Sequence, residues 1–198
     1  MILFTFFWSL ILIKYKMLDL KQYLNSYGEL VFSDSAEKKL LTVKELIEKS
    51  PDSKIFVFGN GGSAAIADHF AVDMTKNANT TTLSLNNPPM ITCLSNDYGY
   101  EEWMKKCLEF YAKPKDFVFL ISSSGQSKNV LNACEYANQN NITSITFSGF
   151  NKDNPLRNSG NINFWVKSNS YNIVENLHQI WILSLVDLII GKSEYSAS

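Results

Sequence analysis

Two Ser/Gly-rich turns constrain the fold of this chain more than any other feature, because each lies directly after an apolar run of β type. The first turn is residues 59–63 (GNGGS) after the run 55–58, and the second is residues 122–127 (SSSGQS) after the run 117–121. In an open α/β sheet, ligands bind at the carboxyl ends of parallel strands, where loop amides and the next helix N-terminus face an anion. The two turns therefore predict an α/β fold with a phosphate site.

The two turns differ in composition, which indicates different roles. Glycines in the first turn let a ligand approach the backbone closely, whereas the four serine hydroxyls of the second can donate hydrogen bonds to phosphate oxygens. The chain has neither the GxGxxG nor the GxxxxGK[ST] nucleotide fingerprint, so we expect no nucleotide cofactor and favour a small phosphorylated metabolite. The competing interpretation is that both are ordinary strand-to-helix turns, in which Gly, Asn and Ser are common for conformational reasons.

Length, charge and cysteine content narrow the class of protein. A chain of 198 residues fits one α/β domain, which we place at residues 17–198. Its 18 Lys and Arg against 19 Asp and Glu give a formal net charge of −1, so neither a nucleic acid nor a membrane partner is expected. Cys93, Cys107 and Cys134 have no metal-ligand spacing, which favours the reducing cytoplasm.

The amino terminus carries an almost wholly apolar stretch, residues 1–13. It is shorter than the roughly 20 residues that span a bilayer, and it lacks the basic region and cleavage site of a signal peptide. We therefore interpret residues 1–16 as an extension outside the fold, with translation beginning at Met17. The alternative is a short hydrophobic anchor.

Apolar periodicity predicts an alternation of helices and strands. Helices are expected twice within residues 18–50 and then at 64–76, 101–112, 128–138 and 173–190. Strands are expected at 54–58, 116–121, 142–147 and 162–166, with short extended pieces at 80–85 and 91–94 on either side of a turn at 86–89. The alternation is typical of an α/β fold, and the apolar helix 173–190 should be buried or form an interface.

Four motifs in this order resemble the sugar isomerase (SIS) domain, and most closely the phosphoheptose isomerases: residues 59–76 (GNGGSAAIADHFAVDMTK), 95–100 (SNDYGY), 121–130 (ISSSGQSKNV) and 173–179 (IVENLHQ). The resemblance covers residues 18–190. It implies a three-layer αβα sandwich, flavodoxin- or Rossmann-like, with a five-stranded parallel sheet and N-terminal helices, assembled as a homotetramer. It also implies interconversion of sedoheptulose 7-phosphate and D-glycero-D-manno-heptose 7-phosphate through an enediol, to supply heptose for a surface polysaccharide.

The resemblance also implies which residues bind the phosphorylated sugar. Those expected to contact the substrate are Asn60, Gly61, Gly62, Ser63, Asn96, Asp97 and Glu175. Those expected to hold the phosphate are Ser122, Ser123, Ser124 and Ser127.

Catalytic and metal positions agree less well with the family pattern. The resemblance implies zinc, with His69, Asp73 and Glu175 as ligands, but Leu183 stands where a histidine ligand is expected, so the set is incomplete. His69 and Asp73 are four residues apart, which places them on one face of a helix. Isomerisation needs a base within reach of the C1/C2 proton. We expect that base to be Glu175, assisted by His69 and Asp73, with His178 as the alternative.

Two other classes of function stay open at this point. The chain could bind a sugar phosphate without catalysis, as sensing SIS domains do, or it could be a tetrameric interaction protein like the SIS partner of the bacterial replication initiator. Leu183 favours these two readings. The intact loops and the carboxylates Asp73 and Glu175 favour the isomerase, which is the function we expect.

Overall fold

The computed structural model describes residues 18–194, so the predicted extension at 1–16 lies outside the described residues. In this part of the chain the helices are α1 (Leu20–Val31), α2 (Ala36–Glu48), α3 (Gly62–Lys76), α4 (Pro88–Tyr98), α5 (Trp103–Tyr111), α6 (Lys128–Gln139), α7 (Pro155–Ser159) and α8 (Tyr171–Ile190). The strands are β1 (Ile55–Gly59), β2 (Thr82–Leu83), β3 (Phe117–Ser122), β4 (Thr143–Ser148) and β5 (Ile162–Trp165).

The five strands form one parallel sheet in the order β2-β1-β3-β4-β5. This is the flavodoxin-type order. The chain places β2 on one side of β1 and then β3, β4 and β5 on the other side. The connections from β1 and β3 therefore leave in opposite directions, which opens a crevice between the carboxyl ends of these two strands. The register pairs Gly59 of β1 with Ile121 of β3, so the two Ser/Gly-rich turns leave the sheet side by side. The predicted five-stranded parallel fold is confirmed.

Helices cover both faces of the sheet. Successive residues of a strand point to opposite faces, and in the central strands the residues on both faces are apolar. On one face, Val57 and Phe119 pack with residues of α2, α3 and α8. On the other, Phe58 and Leu120 pack with residues of α4, α5, α6 and α7. The strands β1 and β3 are buried along their whole length, as expected for the central strands of a parallel sheet.

The prediction of an extended piece at 91–94 is wrong, because these residues belong to α4. The side chain of Asn87 caps this helix by accepting a hydrogen bond from the backbone N–H of Met90 at 3.0 Å, and Pro88 and Pro89 occupy its first turn. Proline lacks an N–H and its φ is already helical, so it suits the start of a helix. The same signal was missed at α7, where Asn154 caps a helix that begins at Pro155. Of the extended piece predicted at 80–85, only the two residues of β2 form a strand.

Helix α8 is long and apolar enough to cross a bilayer by length and composition alone. In the structure it packs against α1, α2 and α3, and Leu177, Trp181 and Leu185 on one side of it are buried in the core. Its opposite side keeps Ile180 41% exposed. The helix is therefore buried in the core of the αβα fold, as the sequence predicted, and part of its apolar surface stays exposed.

Candidate active site

The candidate site lies where the carboxyl ends of β1 and β3 meet the amino ends of α3 and α6. Helix α3 begins at Gly62, within the first turn, and α6 begins at Lys128, directly after the second. The first N–H groups of each helix have no partner within the helix and carry the positive end of its dipole. Both helices therefore direct hydrogen-bond donors toward the crevice between the turns.

A carboxylate from a distant part of the chain enters this crevice. Glu175, on α8, packs against the backbone of Gly62 so closely that a Cβ on residue 62 would collide with its Oε2. Its Oε1 accepts a hydrogen bond from the hydroxyl of Ser123 at 3.4 Å. Glycine at position 62 thus makes room for the carboxylate, and Glu175 bridges the two turns.

The serine turn holds its hydroxyls close together. Ser122 and Ser127 have their Oγ atoms 3.1 Å apart, and Ser124 Oγ accepts a hydrogen bond from the backbone N–H of Gln126 at 3.2 Å. Ser123 is directed to Glu175 instead, so its hydroxyl is already occupied. Ser122, Ser124 and Ser127 therefore form the group that lies next to the amino end of α6, where a phosphate would be stabilised.

A second layer of hydrogen bonds supports the serine turn. Gly125 has a φ of 65°, and a side chain there would collide with Asn154. The carbonyl oxygen of Gly125 accepts from Leu156 N at 3.1 Å, and that of Ser123 accepts from Gly149 N at 2.9 Å. The turn is thereby fixed to the end of β4 and to the start of α7, which predefines the positions of its hydroxyls.

The first turn is held through Asn60 by two residues that the sequence analysis did not single out. Asn60 exchanges two hydrogen bonds with Asn129 on α6, at 3.0 and 3.1 Å, and its Oδ1 accepts a third from the hydroxyl of Tyr100 at 2.9 Å. Asn96 and Asp97 lie at the end of α4, exposed and bonded to each other at 3.0 Å. In residues 18–194 neither of them is hydrogen-bonded to the two turns, so Tyr100 makes that link.

His69 and Asp73 form a pair further along α3. His69 Nε2 lies 3.2 Å from Asp73 Oδ2, as their spacing predicted, and the His69 side chain is 47% exposed. His69 is seven residues beyond Gly62, which corresponds to about 10 Å along the helix axis. The predicted cluster with Glu175 is therefore not assembled within one chain.

The donors present in one chain do not fit a zinc ion. Across the described range 18–194, no three His, Cys, Asp or Glu side chains lie close enough together to hold a metal ion. A catalytic zinc takes three protein ligands, and His69 and Asp73 supply two. Leu183 packs partly buried against the core and has no donor atom to complete the set.

His178 cannot act as the base that the alternative assigned to it. Its side chain is fully buried, and its Nε2 lies 3.0 Å from the carbonyl oxygen of Ser148. Burial lowers the pKa of His178 to about 4, although the hydrogen bond to Ser148 acts in the opposite direction. The ring is neutral near pH 7 and is out of reach of a ligand in the crevice.

The buried His178 predicts a loss of stability in acid. The folded-state pKa of His178 is about 4, below the ordinary value of 6.5. Between pH 6.5 and pH 4, the histidine is therefore protonated in the unfolded chain and neutral in the folded chain. The free energy of unfolding should therefore fall by about 3 kcal/mol as the pH decreases through this window. Urea unfolding at pH 7 and pH 4 should show a smaller decrease for His178→Gln than for the wild type. Equal decreases would contradict the prediction.

Comparison with known proteins identifies the family. The SIS-domain family profile matches residues 31–149, more than half of the chain. The phosphoheptose isomerase of Helicobacter pylori strain HPAG1 is 32% identical, over 80% of this chain and 96% of that protein. The solved structure of phosphoheptose isomerase GmhA from Neisseria gonorrhoeae superposes with a TM-score of 0.72 at 26% identity, covering 85% of this chain and 98% of the other.

A second solved structure, a phosphoheptose isomerase from Francisella tularensis, superposes with a TM-score of 0.74 at 25% identity. The superposition covers 89% of this chain and 100% of the other. The sheet order, the two turns and these matches lead to one assignment. The chain belongs to the SIS-domain family and, within it, to the phosphoheptose isomerases.

Proposed function

We propose that this protein is an aldose–ketose isomerase that interconverts sedoheptulose 7-phosphate and D-glycero-D-manno-heptose 7-phosphate. The observation that carries the proposal is the position of Glu175, whose carboxylate lies between the two turns at the β1/β3 crevice. A general base must lie within hydrogen-bond reach of the proton that it removes, and Glu175 offers a carboxylate in contact with both turns of the crevice.

The sugar is oriented by its phosphate. Ser122, Ser124 and Ser127, with the first amides of α6, hold the phosphate group through hydrogen bonds that an anionic acceptor strengthens. The carbon chain then extends past Gly61 and Gly62, where the lack of side chains leaves space along the backbone. This orientation brings the C1–C2 end of the sugar toward Glu175.

Glu175 acts as the general base in this scheme. It removes the proton from the carbon next to the carbonyl group, and the electron pair forms the double bond of an enediol. The same carboxyl group returns the proton to the neighbouring carbon, while the hydroxyl proton moves between O1 and O2. Donors at the amino end of α3 stabilise the negative charge that develops on the oxygen. No step is routed through zinc, because the donors of one chain do not fit it.

The test is isomerisation by the purified wild-type protein in deuterated water, followed by proton NMR. We expect solvent deuterium at C2 of the aldose, with and without added zinc. Binding of the sugar phosphate by calorimetry with neither isomerisation nor deuterium uptake would reject the isomerase, and the binding-module alternative would replace it.

We further propose a homotetramer, supported by apolar side chains left exposed on α1 and α8. These two helices pack against each other, and Leu20, Leu24 and Ile180 are 62%, 56% and 41% exposed. Exposed apolar side chains on adjacent helices are a common feature of subunit interfaces. Light scattering at micromolar concentration should give a mass near four times the chain mass of 22.5 kDa.

A charge placed on this surface tests the assembly. Ile180→Glu should lower the mass, because it buries a charge in an apolar contact. Phe110→Glu is the matched control, since Phe110 is 58% exposed on α5, in the layer on the other side of the sheet. A monomeric wild type, or equal effects of both substitutions, would count against this interface.

We assign the enzyme to the cytoplasm and its product to the supply of heptose for a surface polysaccharide. The support is the family resemblance and the free state of Cys93, Cys107 and Cys134.

A further inference from the structure

The hydrogen bonds around Asn60 can be assigned without ambiguity because one of them begins at the backbone. Val130 N donates to Asn129 Oδ1 at 3.0 Å, and a backbone N–H can only donate. The oxygen of the Asn129 amide is thereby identified, although oxygen and nitrogen ends of an amide are otherwise hard to distinguish. The backbone of α6 thus fixes the orientation of the Asn129 side chain.

This orientation is transmitted to Asn60. Asn129 Oδ1 also accepts from Asn60 Nδ2 at 3.1 Å, and Asn129 Nδ2 donates to Asn60 Oδ1 at 3.0 Å. Tyr100 must then donate its hydroxyl proton to the same Asn60 Oδ1, at 2.9 Å. Both lone pairs of Asn60 Oδ1 are used, and within residues 18–194 one of the two hydrogens on Asn60 Nδ2 has no acceptor.

The two partners differ in burial, which gives them different parts in the network. Asn129 is 3% exposed, so its amide is held inside the protein and has no water to exchange with. Tyr100 is 55% exposed at the rim of the crevice. Asn60 lies between them, half-buried, in the first turn of the site.

We infer that Asn129 and Tyr100 are positioning residues that make Asn60 a dedicated hydrogen-bond donor in the active site. Because its oxygen is fully engaged, Asn60 can offer a ligand only an N–H. The group that it recognises is therefore an oxygen acceptor. Because the serine turn is assigned to the phosphate, we assign this acceptor to the carbonyl or hydroxyl oxygen at the reacting end of the sugar. This inference rests on the proposed function, since it assigns the free N–H to the oxygen that becomes negative when Glu175 removes the proton.

The inference is tested by a double-mutant cycle with Asn60→Ala, Asn129→Ala and the double variant. Asn129→Ala should lower kcat about tenfold in the wild-type background, the effect of losing one oriented hydrogen bond. In the Asn60→Ala background the same substitution should lower kcat less than about twofold, because Asn129 acts through Asn60. KM should change less than about threefold, since the serine turn is untouched.

Tyr100→Phe provides a second cycle with Asn60→Ala that does not depend on a buried substitution. It removes one hydroxyl from an exposed ring and should lower kcat about threefold, again only when Asn60 is present. Asn138→Ala is the matched control for Asn129→Ala, because both asparagines are on α6. The Asn138 side chain donates to the carbonyl oxygen of Ser159 at 2.8 Å and makes no bond to Asn60. Asn138→Ala should leave kcat unchanged.

Two outcomes separate this inference from the proposed function. If the fold-decreases in kcat of the single variants multiply in the double variants of both cycles, the positioning role is overturned while the isomerase is left intact. If the wild type binds the sugar phosphate without turnover, the isomerase is rejected, and the same cycles measured as Kd for sedoheptulose 7-phosphate decide the inference. Coupling in Kd would support it, and independent effects would overturn it.

Discussion

Glu175→Gln should lower kcat for sedoheptulose 7-phosphate isomerisation by roughly 10²- to 10⁴-fold, the contribution typical of a general base. Glutamine has nearly the shape of glutamate, so it still fits against Gly62 and still accepts the hydrogen bond that Ser123 donates at 3.4 Å. What it loses is the capacity to take a proton. KM should change little, because the phosphate contacts lie on the serine turn.

The control for this prediction is Asp187→Asn, which removes one negative charge from the same helix near its carboxyl end. It should leave kcat within about twofold of the wild type. Full activity of Glu175→Gln would show that the base lies elsewhere and would remove the proposed mechanism. Steady-state kinetics of the three proteins, with melting temperatures recorded for each, distinguish loss of chemistry from loss of folding.

Ser122→Ala combined with Ser124→Ala should weaken the binding of sugar phosphates by roughly 10²- to 10⁴-fold. Each hydrogen bond to a charged acceptor contributes about 1.5 to 3 kcal/mol, and the double variant removes two of them. The unliganded protein should lose little stability, because in the structure these hydroxyls bond to Ser127 Oγ and to the N–H of Gln126, both within the same turn. Calorimetric titration with sedoheptulose 7-phosphate measures the change.

Ser159→Ala serves as the comparison for the serine variants. Its hydroxyl bonds to Pro155 O at 2.8 Å within α7 and has no place in the serine turn. Affinity should be unchanged in this variant. If the double serine variant also kept its affinity, the serine turn would not be the phosphate site.

The strands and the two turns could be predicted from the sequence because both are local features. An apolar run such as residues 117–121 followed by Ser and Gly carries its own signal for a buried strand and a turn. The error at residues 91–94 has a local cause too, since Asn87 and the two prolines after it can begin either a turn or a helix. The hydrogen bond that Met90 N–H donates to the Asn87 side chain stabilises the start of the helix.

The partners of Asn60 were beyond the reach of the sequence for a different reason. Asn129 is 69 residues away along the chain and Tyr100 is 40 residues away. Nothing in their local patterns distinguishes a buried asparagine that holds a loop from one that is solvated on a helix surface. Only the tertiary fold, which places the start of α6 and the segment after α4 beside the turn that follows β1, brings these side chains together.

The sequence by itself determined that two Ser/Gly-rich turns follow strands of a parallel sheet, because strand, turn and helix signals are encoded over a few neighbouring residues. The tertiary structure alone decided which titratable groups reach those turns. Glu175 and His178 are three residues apart on α8, about 4.5 Å along its axis. That distance separates a carboxylate at the crevice from an imidazole with no exposed surface, because His178 faces the core, where its Nε2 lies 3.0 Å from the carbonyl oxygen of Ser148 at the end of β4.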